Sequence, residues 1–245
     1  MKMDEKFLSG MRRRYFLARH VYYCAIEDHF IVLDLRRNKY FFPDEREKRV
    51  FRLLSKNNDI VGATEAQDLG ASIKALTEKG LLVDDPKQGR RDVAIPLVPA
   101  TMDMNGYPFD GIPKIRVGHV YQCSKAFFFT KLALKFNSMA RVMDKITKRK
   151  SRQLAKNQTT ASLAKIQELV EIFCILNVLF YSSWDKGLFD SLVLVNFLAS
   201  YGIYPDVVCG VKMDPFMTHA WVQDGTISYN CPVSHAEIFK PIMVA

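Results

Sequence analysis

No run of about 18 consecutive apolar residues occurs in the 245-residue chain, although 49% of it is hydrophobic, so a membrane span is not expected. The opening residues, MKMDEKFLSGMRRRYF, carry charge without the apolar core and small-residue cleavage site of a secretory signal. Cysteine is sparse: Cys24, Cys123, Cys174, Cys209 and Cys231 are odd in number, widely scattered and form no CxxC pair. A disulfide framework or structural metal site is therefore not expected, and a reducing, cytoplasmic setting fits. Internal repeats are missing too, and so is a GxxxxGK[ST] loop, which removes P-loop phosphate chemistry. What is left is an ordinary globular composition, with apolar material for one or two cores.

Acidic residues are scarce in one place. Residues 121–160 hold ten Lys/Arg and a single acidic residue, Asp144, which accounts for the chain's whole net charge of +9. The plain reading is a solvated helix face running into a basic loop. The functional readings are an acidic partner surface, nucleotide phosphates, anionic lipid or nucleic acid. Phe127, Phe128 and Phe129 lie nearby, but three consecutive aromatics suit one helix face better than base-stacking platforms spread over a sheet, which disfavours nucleic acid.

Residues 21–42 read as a three-stranded meander: Val21–Ala25, Phe30–Leu35, and Tyr40–Phe42 ended by Pro43. Asp44 with Glu47 has capping-box spacing, and Val50, Phe51, Leu53 and Leu54 give the next helix its apolar face. A second helix is expected over Ala71–Lys79, with Ile73 and Leu76 on one face and Gly80 as its cap. Leu81–Val83 returns to extended chain. These elements place a first domain at 15–86. The Pro-, Gly- and charge-rich stretch 87–118 reads as a linker, and 119–245 as a second domain. In that domain helices are expected over about 121–149, 161–183 and 186–200, with a polar break, SRQLAKNQTT, after the first. Strands follow at Val207–Val211, His219–Gln223 and Thr226–Tyr229, the last two joined by an Asp224-Gly225 turn. Helices followed by antiparallel strands argue for an α+β architecture.

A thiol hydrolase needs three groups held by different elements: a nucleophile at a helix start, where the dipole favours thiolate, a histidine on a neighbouring strand, and an Asp or Asn that orients the imidazole. His219 on a strand and Asn230 at the end of its hairpin partner follow that order. Asp224 falls at the turn, roughly 15 Å along the strand from His219 at 3.3 Å per residue. Asn230, six residues further on, is expected to return level with the histidine, so Asn230 is the expected orienting residue.

Two segments resemble known families. The IVLDLR and KYFF strands with the LTEKGLLVDD segment, across residues 20–86, resemble the winged-helix leader-recognition domain of ribosomal-peptide maturation clusters. The segment from Gly187 to Asn230 resembles the transglutaminase-like, cysteine-protease-like domain of lasso-peptide B proteins. Leu188, Ser191, Leu192, Leu194, Leu198, Gly202, Ile203, Gly210, Val211, His219, Ala220, Trp221 and Val222 stand at matching places. Where that family has its cysteine this chain has Gly187, and where it has its aspartate this chain has Asn230. Glycine there leaves three readings: an engineered inactive variant, a natural pseudoenzyme or a slipped register. Ser191 lies a helical turn on, about 6 Å along the axis, and does not replace the missing group. Cys174 reads as core, Cys209 as a buried replacement for Ile or Val, and Cys231 as pointing to the opposite face.

The resemblance implies maturation of a lasso precursor peptide, with the leader bound by the first domain and cut from the core by Cys-His-Asp/Asn chemistry in the second. It also implies an asparagine-synthetase-like cyclase as partner, and allows ATP dependence, for which a site would be of a kind other than a P-loop, with the basic 141–156 stretch as the candidate. Leader capture is expected beside the strand Lys39, Tyr40, Phe41 and Phe42 and the helix residues Ile73, Leu76 and Lys79, although Tyr40 or Phe42 equally reads as core. The alternatives are a non-catalytic leader-binding scaffold for the cyclase and a winged-helix DNA-binding regulator. The regulator is disfavoured because Ala71–Lys79 carries two lysines and no arginine.

Overall fold

In the computed structural model, which describes residues 14–57, 60–61, 69–90, 97–104, 113–155, 161–180 and 186–245, the chain divides into two units, 1–95 and 96–245. In the first unit Arg14–Leu17 (β1) precedes the expected meander, formed by Val21–Ile26 (β2), His29–Asp34 (β3) and Lys39–Phe41 (β4) in the order β2-β3-β4. The turns are tight because Glu27 and Asn38 accept left-handed backbone, with φ of 51° and 50°. Asp34, 2% exposed, closes the β3–β4 turn: it accepts the N–H of Arg36 at 2.8 Å, the N–H of Arg37 at 3.2 Å and Nη1 of Arg37 at 2.6 Å. Burial pushes its carboxyl pKa up, but the bonds from Arg37 and Arg36 outweigh that and hold it below the usual value.

The capping box forms. Asp44 accepts the N–H groups of Arg46 and Glu47 at 2.9 and 2.8 Å, Glu47 reaches back to the Asp44 N–H at 3.3 Å, and the helix Glu45–Asn57 (α1) follows. After Ile60–Val61 (β5), the second helix runs over Gly70–Glu78 (α2), and Gly80, at φ 71°, caps it. Leu82–Val83 (β6) pairs with β1, whose other side takes β5. Leu17, Val21, Val32, Phe51, Leu54, Ile73, Leu76 and Leu82 form one buried cluster. The sequence pattern missed β1, β5 and β6 as a sheet because two- and four-residue strands show little periodicity.

The stretch read as a linker is shared between the units. Gly89 bridges to Ala18 and the Arg90 N–H donates to Leu17 O at 2.8 Å, while Met102–Asp103 (β7) adds to the sheet of the second unit. Residues 91–96 and 105–112 lie outside the described residues.

The single helix expected at 121–149 is two: Val117–Phe136 (α3) and Met139–Leu154 (α4). Asn137 ends the first in extended backbone, its N–H and Nδ2 both donating to Ala133 O at 2.9 and 3.1 Å, and Ser138 opens the second. Both residue types favour caps over helix interiors. Helix α4 also runs into the expected polar break. Leu163–Asn177 (α5) ends in a 3₁₀ turn, Val178–Phe180, and Lys186–Ala199 (α6) stops before Gly202, at φ 78°.

A five-stranded sheet completes the unit: Asp206–Lys212 (β8), Met217–Asp224 (β9), Ile227–Ser228 (β10) and Lys240–Val244 (β11), ordered β11-β8-β9-β10-β7. Helix α6 packs on β8 and β9 and is flanked by α3 and α5. Its residues Leu192–Val195, Phe197 and Leu198 are buried, as are Val207, Val208, Cys209 and Val211 on β8. Gly210 is required by close approach: a Cβ there would meet the Trp221 ring at 2.8 Å and Phe239 Cβ at 2.8 Å. The two units are thus α+β in content.

Asp34 supplies a test of this folding logic. Asp34→Ala should cost about 1–3 kcal/mol at pH 7 in a urea melt, the scale of hydrogen bonds to a charged group. Because the folded pKa lies below the unfolded one, that stabilisation is present above the unfolded carboxylate range and is lost as pH falls through the folded value. The gap between wild type and variant should therefore narrow in acid. A pH-independent gap would show that the turn backbone, and not the carboxylate, is what matters.

Candidate functional site

Helix α6 begins at Lys186, so Gly187 stands in its first turn, where backbone N–H groups point out unsatisfied. A Cβ built on Gly187 would lie 3.2 Å from His219 Nδ1 and 3.6 Å from both the N and O of Ala220. The expected nucleophile position and the expected histidine are therefore neighbours. Room for a side chain exists but is tight: at 3.2 Å the imidazole must give by a few tenths of an ångström.

His219 sits on β9, opposite Gly210 of β8, and is half-buried. Its ring lies between Trp221 (centroids 6.0 Å apart, 17° between planes), Phe239 (5.2 Å) and the edge of His235 (4.9 Å). Burial in this aromatic pocket, and next the charge of His235, hold the His219 pKa below its ordinary value, so the ring is neutral at pH 7. Nδ1 faces Gly187, whereas Nε2 is buried with no hydrogen-bond partner among the described residues.

Asn230 does not fill the expected orienting role. The hairpin pairs Asp224 with Ile227 and Ser228 with Gln223, the Tyr229 N–H donates to Val222 O, and Asn230 lies in the bend beyond, with its side chain on Val222 and Ser191. Its Oδ1 accepts the Val222 N–H at 2.8 Å and its Nδ2 donates to Ser191 Oγ at 3.1 Å. Ser191 is fully buried, and its hydroxyl lies 2.7 Å from Gly187 O and 3.1 Å from Ala220 O. Ser191 is thus a tie between α6 and β9, and its complete burial leaves no path for a substrate to reach it as a nucleophile. Asp224 stays at the turn, where burial raises its carboxyl pKa and Tyr229 hydrogen-bonds it.

Cys123, Cys174, Cys209 and Cys231 have no activating environment. Burial pushes Cys123 and Cys231 up to about 11 and Cys209 to about 12, the opposite of what a thiolate nucleophile needs. Cys231 is buried, packed with Val208, Trp221, Ala236 and Phe239. Cys174 was expected in the core but stands on an exposed face of α5. Among the described residues no three His, Cys, Asp or Glu side chains gather as metal ligands would.

On the first unit, the expected leader-contact residues separate. Ile73 and Leu76 are 4% and 0% exposed and belong to the core, so they are corrected from contact residues to packing residues. The helix faces inward because its apolar side completes the cluster around Phe51 and Leu54. Lys79 is half-exposed and pairs with Glu47 Oε1 at 2.8 Å. Lys39, Tyr40 and Phe41 form β4, the last strand of its sheet, and Phe42 beyond it is 50% exposed. The aromatic neighbours of His219 from 232–239 were not anticipated; a second histidine shortly after a strand-ending Pro232 was the one available signal.

Residues 127–244 match the model of the transglutaminase-like superfamily. No curated protein and no solved structure matches the chain. The second unit carries a transglutaminase-like domain, consistent with a cysteine-protease-like fold. No helix among the described residues is long and apolar enough to cross a membrane.

The Gly187–His219 geometry is directly testable by installing the thiol. In Gly187→Cys, the helix start and the adjacent imidazole should lower the new thiol's pKa at least one unit below the ordinary value of about 8.5. The pH dependence of iodoacetamide alkylation reads this, and His219→Ala in the same background should return it toward 8.5. A thiol titrating normally with His219 intact would show that the two positions do not communicate.

Proposed function

We propose that this protein matures a ribosomally made lasso-type precursor peptide in the cytoplasm, holding the leader on its first domain and presenting the leader–core junction to the transglutaminase-like domain. One observation carries the reading: position 187, in the first turn of α6, directs a Cβ to within 3.2 Å of His219 Nδ1, the arrangement a thiol nucleophile and its base require. With glycine there, the chain as written binds and positions but does not cut. His219 can take a proton from a nucleophile and return it to a leaving amine, yet it has nothing to activate. Among the described residues the Nε2 position lacks the hydrogen-bonded partner that would hold the ring in one tautomer, so two of the three catalytic roles are unfilled by them. That favours a leader-binding scaffold, working beside an asparagine-synthetase-like cyclase, over an active peptidase.

The leader-recognition role of the first, winged-helix-like domain rests on β4 as the terminal strand and on the exposed Phe42 beyond it, a place where an extended peptide adds as a further strand. Duplex DNA is a poorer ligand for this unit. The expected recognition helix offers two lysines and no arginine, and one of the two, Lys79, pairs with Glu47 at 2.8 Å.

A labelled leader peptide should bind the full chain with or without cysteine at 187. Lys39→Glu with Phe42→Asp should weaken that binding at least tenfold, while random duplex DNA competes poorly. Cleavage should be absent from the chain as written, arise in Gly187→Cys, and vanish again with His219→Ala. Cutting by the chain as written that survives loss of Ser191 and every cysteine, but not of His219, would overturn the model in favour of a histidine-activated water.

A further inference from the structure

A cleft of about 420 Å³ opens between α3, α4 and the last turn of α6, lined by Gln122, Lys125, Phe129, Lys145, Arg149 and Asn196 among others. It is separate from the Gly187–His219 site, since Asn196 lies nine residues after Gly187, roughly 13 Å along the helix axis. Arg149 is built into this cleft. Its Nη1 donates to Asn196 Oδ1 at 3.0 Å, and Asn196 is fixed in turn by donating Nδ2 to Thr130 Oγ1 at 2.8 Å, a hydroxyl whose residue is 1% exposed. The guanidinium carbon lies 5.7 Å from the centre of the Tyr204 ring.

The other edge of the same guanidinium, Nε and Nη2, is buried and has no hydrogen-bond partner among the described residues, and the same holds for Gln122 Oε1. A half-buried cation with a bare buried edge, and a neutral amide as its one bonded partner among the described residues, is in an unfavourable state unless a counter-charge arrives from outside. Among the described residues no carboxylate acts on Arg149: burial lowers its pKa, and Tyr204 is the other group that influences it. Nearby basic residues do have acidic partners, Lys148 with Asp144 and Lys150 with Asp206, which sets Arg149 apart from the surface charge around it.

We propose that this cleft binds a small organic anion, and that Arg149 turns its Nε–Nη2 edge, closed to solvent in this structure, into the cleft to fork onto two oxygens of one carboxylate or phosphate group. That edge offers two parallel N–H donors at the spacing of such an oxygen pair. Lys125 and Lys145, both exposed, draw the anion in and flank it. The volume exceeds that of a bare inorganic ion, and Phe129 supplies an apolar wall for the remainder of the molecule.

The experiment is calorimetric titration of the full chain at fixed ionic strength with two probes, phenyl phosphate and benzoate, against chloride alone. Saturable binding of one or both is expected, and the probe that saturates names the class of the anion. Arg149→Gln should weaken it about tenfold or more. Because that change removes a buried contact to Asn196, the exposed pair Lys125→Ala with Lys145→Ala gives a second reading, expected to weaken binding several-fold with the fold intact by circular dichroism. Absence of saturable binding for both probes overturns the proposal. So does an affinity unchanged in Arg149→Gln and in the double lysine variant.

Discussion

The hydroxyl of Ser191 holds the second domain's site together. It is fully buried, reaches carbonyls on two different elements, Gly187 O on α6 and Ala220 O on β9, and receives a hydrogen bond from Asn230 beyond β10. A hydroxyl has one proton, so it serves the two carbonyls alternately or unequally, and no water can replace it in so closed a place. Through it the first turn of a helix, a central strand and the return segment are fixed against each other. Neither Gly187 nor His219 contributes a side-chain bond to this tie. That explains why the geometry around the nucleophile position persists with no nucleophile in it.

The histidine is placed by packing and not by polar contacts. Trp221, Phe239 and His235 surround it, and Gly210 on the paired strand is the residue that lets the Trp221 ring lie across β8. An aromatic pocket keeps the imidazole neutral, which is the protonation state a general base needs. The same pocket buries Nε2, which has no hydrogen-bond partner among the described residues. A ring in this position is ready to accept a proton through Nδ1 but is poorly held in the tautomer that leaves Nδ1 bare, since a neighbouring acceptor on Nε2 is what stabilises that form.

Much of the fold was legible in the residues because local chemistry and global structure agree there. The meander between Val21 and Phe41, the Asp44–Glu47 capping box, the Gly80 cap and the Asp224-Gly225 turn each follow from a residue type that demands its conformation. The failures share one cause, which is that spacing along the chain does not say what lies beside it. Periodicity put Ile73 and Leu76 on one face of α2 but could not tell a groove from a core. Counting residues from Asp224 brought Asn230 to His219, whereas the tight loop sets Asp224 against Ile227 and the chain bends beyond Ser228, so the side chain of Asn230 meets Val222 and Ser191 instead of the imidazole.

Charge illustrates the same divide between composition and geometry. The excess of basic residues over 121–160 is plain from the sequence, yet its members end in different states. Lys148 stands in an exposed ion pair with Asp144, of the kind that contributes little. Lys150 reaches Asp206 at the start of β8, and so links a basic helix to the sheet. Arg149, between them in sequence, turns inward and finds an amide where its neighbours find carboxylates. Asp34 in the first unit marks the contrast: it is as deeply buried as any charged group described here, but every approach to it is met by a donor. A buried charge with complete partners is part of the fold's own structure. Its counterpart with one bare edge, lining a cleft wide enough for a small molecule, is a part of the surface whose complement comes from solution.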